Sequence, residues 1–369
     1  MTPSPVVLSR ITLYRYELPL SAPLELGEDT WDCRRGLLLK LETEQGVVGW
    51  GEAAPLPGFS PESLEDVIAH ARMIVPEWSG TTLPESGPAL EQVWETLPLE
   101  PDAPASFRFA ADSALVELLA AALGTSSTEV LGTGRSTVAL NALITKPLTN
   151  GPAQAAQFRK QGYRAVKVKV GRGAMELEVD ALREIRRVVG EEIGLRVDAN
   201  RAWSLAEAVA FAEATSDLGL AYVEEPLADP SQLSTLTVQT DLPVALDETT
   251  REVGSEVLQA DFPVAAVVLK PTLLGLRRMR GWCRTALEHG VTPVLSAAYE
   301  SGIGLRTLVA LAAAGPDVPV GLSTYDRLAD DVLHCRLPLG GPEIDVSSVV
   351  NASTTLDENR VALIDPFSN

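Results

Sequence analysis

The rhythm of hydrophobic and polar positions changes once along the chain, near residue 135. Before that point, two-residue alternation at about Ser9 to Leu18, Gly36 to Glu42 and Gly46 to Glu52 predicts strands. Apolar positions at helical spacing over Pro61 to Ile74 and Phe107 to Leu123 predict two helices. Residues 1–134 therefore form an α+β region. Beyond it, the short apolar runs VALNAL, AVKVKV, GLRVDA, LAYVEE, LPVALDE, AAVVLK, TPVLSA and VPVGLS alternate with amphipathic helical stretches. Each cycle takes roughly 25 residues, one βα unit, and eight such units predict a (β/α)8 barrel over 135–325. An open doubly wound sheet is the other arrangement of this rhythm, but no GxGxxG follows the first run.

Composition narrows the function. The chain has 369 residues, 46% of them hydrophobic, enough for large cores. Its formal charge of -20 argues against nucleic acid or an anionic membrane as partner, so an anionic substrate needs local positive charge. The opening MTPSPVVLSRITLYRYELPL has no basic start before a long apolar run, and no later stretch offers about 18 apolar residues in a row; a cytoplasmic protein is expected. Cys33, Cys283 and Cys335 are odd in number and far apart, which suits free thiols better than a disulfide frame or a zinc site.

Barrel enzymes collect their chemistry at the C-terminal ends of the strands. Here those ends carry Lys167 and Lys169, then Asp198, Glu224, Asp247, Lys270 and Ser296, with gaps of about 23 to 29 residues from Lys169 onward. The spacing predicts one shared rung of the barrel. A lone KxK is usually an exposed edge, and EEP or LDE usually a solvated loop; their joint occurrence in register points to a site. Three carboxylates without His or Cys describe an oxygen-rich site for a hard divalent cation, magnesium first and manganese as a substitute. In RAVKVKVG the valines face one side of the strand and the lysines the other. Packed beside each other and a cation, the lysines are expected to lower one another's pKa, so that an amine can act as a base. Arg196 and Asn200 share the face of Asp198 and either bind substrate or support the carboxylate.

The KxK of AVKVKVG, the Asp of RVDAN, the first Glu of VEEP, the Asp of LDET and the Lys of VVLKP together resemble the enolase superfamily, and within it the muconate lactonizing subgroup. The resemblance covers essentially the whole chain. It implies a modified barrel with an α+β capping domain, to which residues 326–369 return. It also implies abstraction of a proton α to a metal-bound carboxylate, with Asp198, Glu224 and Asp247 as metal ligands and lysines on both faces of the substrate. Subgroups with a histidine base are disfavoured, because His70, His289 and His334 lie away from the strand ends.

Four further stretches, GEAAPLPGFSPES, RVDAN, VVLKPTLLG and SAAYESGIG, resemble the dehydratases of menaquinone biosynthesis within that subgroup. This implies a succinyl-hydroxy-cyclohexadiene carboxylate as substrate and a syn elimination of water. Lys169 would be base and then acid, Lys270 would stabilise the enolate, and Lys167 would fix the carboxylate. The loops Leu24 to Asp32 and Leu56 to Ser60 would close over the succinyl chain, with Ser296 and Gly321 holding its carboxylate through backbone N–H groups. The same machinery suits racemisation of N-acylamino acids or epimerisation of dipeptides, since both share the enolate. A non-enzymatic ligand-binding barrel would instead leave Lys169 dispensable.

Overall fold

The computed structural model describes residues 6–26, 29–83, 93–100, 102–145, 148–259 and 263–364. Strands β1 (Val6–Leu26), β2 (Asp29–Thr43) and β3 (Val48–Ala53) form an antiparallel meander. Part of the expected loop between Leu24 and Asp32 thus belongs to a longer hairpin, and residues 27 and 28 lie outside the described set. Helix α1 (Leu64–Ile74) starts at a capping box in which Ser63 and Asp66 exchange hydrogen bonds, two residues after the Pro61 of the sequence pattern.

Helix α2 (Ala105–Leu123) is apolar on nearly every side because it is enclosed by the meander and by barrel elements such as Pro271–Leu274. Its approach to β3 depends on Gly49 and Gly51. A Cβ at Gly49 would lie 2.1 Å from the Ala114 carbonyl oxygen, and one at Gly51 would lie 1.8 Å from that of Ala110. The two-residue spacing on the strand meets the four-residue spacing on the helix, so backbone packs directly on backbone.

The barrel sheet is parallel throughout. It runs β4 (Ala142–Ile144), β5 (Ala165–Lys169), β6 (Gly194–Asp198), β7 (Tyr222–Glu224), β8 (Val244–Leu246), β9 (Ala266–Leu269) and β10 (Thr292–Leu295). The intervening helices are α3 (Gly151–Gln161), α4 (Met175–Val189), α5 (Leu205–Ala214), α6 (Leu233–Gln239) and α7 (Leu276–Glu288), followed by α8 (Gly302–Ala314).

Two sequence expectations are corrected here. The first run, VALNAL, divides: Thr137–Ala139 pairs antiparallel with Glu343–Asp345, and only Ala142–Ile144 enters the barrel. The eighth run, VPVGLS, forms no full strand. It closes the ring through the parallel bridges Leu140 to Val320 and Ser296 to Gly321. Pro319 has no N–H to give a ladder, and its carbonyl goes to Arg196 instead.

Two contacts lock the meander to the barrel. Glu52 at the end of β3 is fully buried and accepts from the Tyr16 hydroxyl (2.6 Å), the Ser301 amide (2.9 Å) and hydroxyl (2.5 Å), and the Gly304 amide (2.8 Å). It therefore caps the N-terminus of α8 from another part of the chain, and Asp331 takes the Gly302 amide at 2.8 Å. The C-terminal strand β11 (Val361–Ile364) returns to pair antiparallel with β1, Tyr16 opposite Val361 and Leu13 opposite Ile364. No helix among the described residues is long and apolar enough to cross a membrane, and the three cysteines are unpaired.

Gly51→Ala forces β3 and α2 apart. It is expected to destabilise the protein by about 2–3 kcal/mol in urea unfolding, whereas Gly46→Ala, in an open turn with φ +78°, costs about 1 kcal/mol from backbone strain alone.

Candidate active site

Lys167, Lys169, Asp198, Glu224, Asp247 and Lys270 meet at the barrel mouth. Lys169 is level with Asp198, and Asp198 with Glu224, in the strand register. Beyond them the register climbs, since Glu224 pairs with Ala245 and Ala245 with Ala266. Asp247 and Lys270 therefore stand higher along their own strands than a single shared rung would place them. The tilt of strands in a closed barrel brings them back to a common level.

Lys167 Nζ lies 2.8 Å from Asp198 Oδ2 and 2.5 Å from Glu224 Oε2. Lys169 Nζ reaches Asp198 Oδ2 at 2.7 Å and Asn200 Oδ1 at 2.7 Å. Lys270 Nζ straddles both oxygens of Asp247, at 2.8 and 2.5 Å. Three cations are thus interleaved with three carboxylates that are between 1% and 4% exposed.

The electrostatics reverse one expectation. Burial disfavours the charge on Lys167, but Asp198, Glu224 and Asp247 outweigh it and hold the ammonium well above the ordinary lysine range. Lys270 is raised in the same way by Asp247 against burial and the repulsion of Lys167. At Lys270 the repulsion of Lys167 is outweighed by the carboxylate of Asp247 that the ammonium straddles. Among the acids, burial is overcome at Asp198, which Lys167 and Lys169 hold far below the carboxylate range. Glu224 goes the other way: burial, together with Asp198 and Asp247, pushes it up to about 7 despite Lys167. Lys167 is shared, Asp198 has the larger part of its charge, and Glu224 is left with uncompensated negative potential.

A second group of side chains ties the strand ends together. Glu225 Oε1 accepts from the backbone amides of Asp247 (2.8 Å) and Thr249 (2.7 Å), and its Oε2 from Thr249 Oγ1 (3.0 Å) and Arg201 Nε (3.1 Å). Arg201 continues to Glu252 at 2.6 Å. Asn200, Arg201 and Glu225 have φ of +47°, +60° and +38°, conformations rare for side chains other than Asn and kept here by this network. Glu225 is the second Glu of VEEP, which the sequence reading passed over; its signal was the adjacent acidic residue without an assigned partner.

The remaining expected residues are placed as follows. Asn200 orients Lys169 through its side chain, and its amide donates to Asp198 Oδ1 at 3.0 Å. Arg196 is buried two residues below Asp198, donates to the Pro319 carbonyl at 2.7 Å and lies over the Tyr222 ring at 5.1 Å. Each side chain has a partner within the chain, Lys169 for Asn200 and the Pro319 carbonyl for Arg196. Ser296 and Gly321 lie side by side at the barrel closure, but their backbone amides are used in the ladder, Ser296 to Leu269 and Gly321 to Leu295, each at 2.9 Å. This corrects the expectation that those N–H groups bind a carboxylate; the Ser296 hydroxyl donates to the Gly321 carbonyl at 3.4 Å.

The turn Leu56 to Ser60 packs over the barrel rim, with Arg251 donating to the Phe59 carbonyl and stacked on its ring at 5.4 Å. Beside it, a cavity of about 420 Å³ is lined by Leu24, Trp31, Arg34, Leu56, Ser60 and Tyr299, among others.

Among the described residues, no three His, Cys, Asp or Glu side chains converge on one point suited to a metal ion; the three acids are each hydrogen-bonded to a lysine instead. The donor chemistry nevertheless fits a hard divalent cation. The three acids are buried, oxygen-only and on successive strands.

Comparison with known proteins agrees with the fold just described. Residues 152–350 match the family described as enolase C-terminal domain-like, and residues 8–91 match the MenC N-terminal domain. The chain belongs to the enolase superfamily. Among its relatives is an o-succinylbenzoate synthase of Edwardsiella ictaluri (strain 93-146), 31% identical over 355 residues that span 91% of this chain and 98% of that one. Another, from Yersinia pestis (strain Pestoides F), is 33% identical over 336 residues, 88% and 92% of the two chains. Of solved structures, the substrate-liganded L-Ala-D/L-Glu epimerase of Bacillus subtilis superposes with a TM-score of 0.76 at 25% identity, covering 92% and 96%. An uncharacterised superfamily member from Enterococcus faecalis V583 reaches 0.84 at 21% identity, covering 98% and 99%.

The raised Glu224 carboxyl yields a pH signature in chelator-treated protein. Its folded pKa of about 7 exceeds the ordinary 4.5, so the native chain holds this proton more tightly than the unfolded one. The resulting stability is complete below pH 4.5 and is lost as pH rises through 7. Glu224→Gln should remove that loss, leaving the chelated variant more stable than wild type at pH 8 by about 2 kcal/mol in denaturant unfolding, with little difference at pH 5.

Proposed function

We propose that this protein is a divalent-metal-dependent dehydratase that converts a succinyl-hydroxy-cyclohexadiene carboxylate to o-succinylbenzoate, the reaction named for its relatives, in menaquinone biosynthesis. The observation that carries the reading is the interleaving of three lysines with three buried carboxylates at the barrel mouth. Two whole-length relatives named as o-succinylbenzoate synthases support it, as does the MenC match over the N-terminal region.

Asp198, Glu224 and Asp247 would hold the cation, magnesium by preference with manganese as substitute; a superfamily neighbour from Enterococcus faecalis V583 was crystallised with Mg and a dipeptide. When bound, the cation would neutralise the three acids in place of the lysines, hold the substrate carboxylate and stabilise the charge of its enolate. Lys169, oriented by Asn200, removes the α-proton. Lys270 contributes positive charge across the site, and Lys167 fixes the carboxylate. The electron pair of the broken C–H bond becomes the ring double bond, the C–O bond breaks, and Lys169 returns its proton to the departing hydroxyl as water. The product ring is aromatic, so enolate stabilisation is the main demand on the protein. Ser296 and Gly321 border the path of the succinyl carboxylate, and Arg196 supports the strand below Asp198.

Racemisation or epimerisation is the second reading. Lys169 and Lys270 stand on β5 and β9, far apart around the ring, as two-sided proton transfer requires, and several structural neighbours are named dipeptide epimerases.

Purified protein with Mg²⁺ and the cyclohexadiene carboxylate should show rapid loss of the diene absorbance, stopped by a chelator, with o-succinylbenzoate formed. Lys169→Ala should lower kcat by at least about 10³-fold while retaining the fold. Asp198→Asn should first weaken Mg²⁺ binding measured by calorimetry. Turnover retained in Lys169→Ala, or unaffected by metal removal, would exclude this mechanism. Deuterium exchange into N-acylamino acids or dipeptides without dehydration would favour the second reading.

A further inference from the structure

Tyr299 stands out because a bulky aromatic residue is kept at φ +63°, a conformation such side chains rarely adopt. Its backbone is held on both sides. The amide donates to Thr324 Oγ1 at 3.2 Å, and the carbonyl accepts from Arg34 Nε at 3.0 Å. Just before it, the Ala298 amide is fixed by Glu300 Oε2 at 2.7 Å, and Glu300 is itself tied to Thr272 at 2.5 Å.

Arg34 is the unusual partner. It is 4% exposed, and its hydrogen-bond partners are backbone carbonyls: Tyr299 and Ala298 on the barrel loop after β10, and Arg35, Ala54 and Pro55 on the capping side. One guanidinium thus joins β2, the start of the Leu56 to Ser60 turn and the loop carrying Tyr299. A buried cation balanced by carbonyl dipoles is an expensive clamp unless the geometry it maintains is needed.

That geometry sets the Tyr299 ring on the loop after β10, against the capping turn. The ring packs with Leu56, Phe59, Leu273 and Ala298, and it is the barrel residue in the lining of the 420 Å³ cavity, whose other walls lie between Arg15 and Glu65. Its O–H has no hydrogen-bond partner among the described residues. Burial raises the phenol above its ordinary range, against the smaller influence of Arg327, Lys270 and Arg34. Leu273, three residues after Lys270, ties the ring to the reacting end of the site, and Leu56 to the capping end. A substrate whose carboxylate sits among the lysines would extend its side arm past this ring.

We infer that Tyr299 is a specificity-determining residue, its phenol donating a hydrogen bond to an oxygen of the substrate's side arm, with Arg34 as the residue that positions it. The inference rests on the dehydration reading. It specifies how that reading selects a substrate bearing a polar arm over a bare ring carboxylate, since a site built to hydrogen-bond an oxygen discriminates strongly against ligands lacking one.

The test is calorimetric, on the full chain with Mg²⁺, using o-succinylbenzoate and benzoate as probes. Tyr299→Phe keeps the ring, its packing and the backbone, so Tm should stay within about 2 °C of wild type. The ratio of the o-succinylbenzoate affinity to the benzoate affinity should fall roughly tenfold. Arg34→Lys should lower the same ratio, and combining it with Tyr299→Phe should add little, because the phenol is the group it positions. If wild type discriminates and Tyr299→Phe discriminates equally, the inference is overturned while the dehydration reading stands. If wild type binds o-succinylbenzoate no better than benzoate, the dehydration reading and this inference are both overturned.

Discussion

The rest of the molecule is arranged around one electrostatic constraint: six charged side chains must share the interior of a parallel barrel. Moving one such ion out of water costs several kcal/mol in real proteins, of order ~5 each, and replacing a buried ionic cluster with apolar residues is often stabilising. Here the cost is offset only in part. Asp198 is well compensated by two lysines, whereas Glu224 is pushed up to about 7 by burial and by its neighbouring acids. Burying three acids and three lysines together, with one acid pushed toward its neutral form, is an arrangement poorly optimised for stability.

Keeping such a cluster in place needs a stiff frame, and the frame is built from backbone groups. Glu225 takes two amides from the Asp247 strand end while holding Arg201 from the loop beyond Asp198, so the three acidic strands are cross-braced just outside the charges. Strained backbone at Asn200, Arg201 and Glu225 is tolerated because each is held by more than one hydrogen bond. On the capping side the same device recurs. Glu52 ends the β3 strand inside the N-terminus of α8, and Arg34 gathers carbonyls from both parts of the chain. These contacts make the capping region part of the wall of the site, and they are consistent with a chain whose N-terminal and barrel segments both match one superfamily.

Much of this was legible in the residue order. Valines alternating with Lys167 and Lys169 define a strand with one charged face, and acids recurring once per βα unit define a ring at the strand ends. Both follow from local periodicity, which the chain carries wherever it folds. The long apolar pattern from Phe107 likewise announced a buried helix, and the Gly49 and Gly51 pair in VGWGEA allows its close approach.

Other features have no local signature. The stagger of Asp247 and Lys270 arises from barrel shear, a property of the closed ring, and the eighth strand shrank to bridges because Pro319 faced a partner that only the closed ring supplies. The amides of Ser296 and Gly321 were expected to bind ligand, yet pairing across the closure takes them. Which way each pKa moves was equally hidden. Two lysines on one face predict mutual depression, but at Lys167 the outcome depends on carboxylates such as Glu224, 57 residues away in the chain and within 3 Å in space. Sequence by itself determined most of the elements and the ring of charged residues at the strand ends, because those depend on spacing along the chain. Tertiary structure alone decided charge balance, backbone strain and the position of Tyr299 beneath the capping turn, because those depend on distances between residues that meet only when the barrel closes.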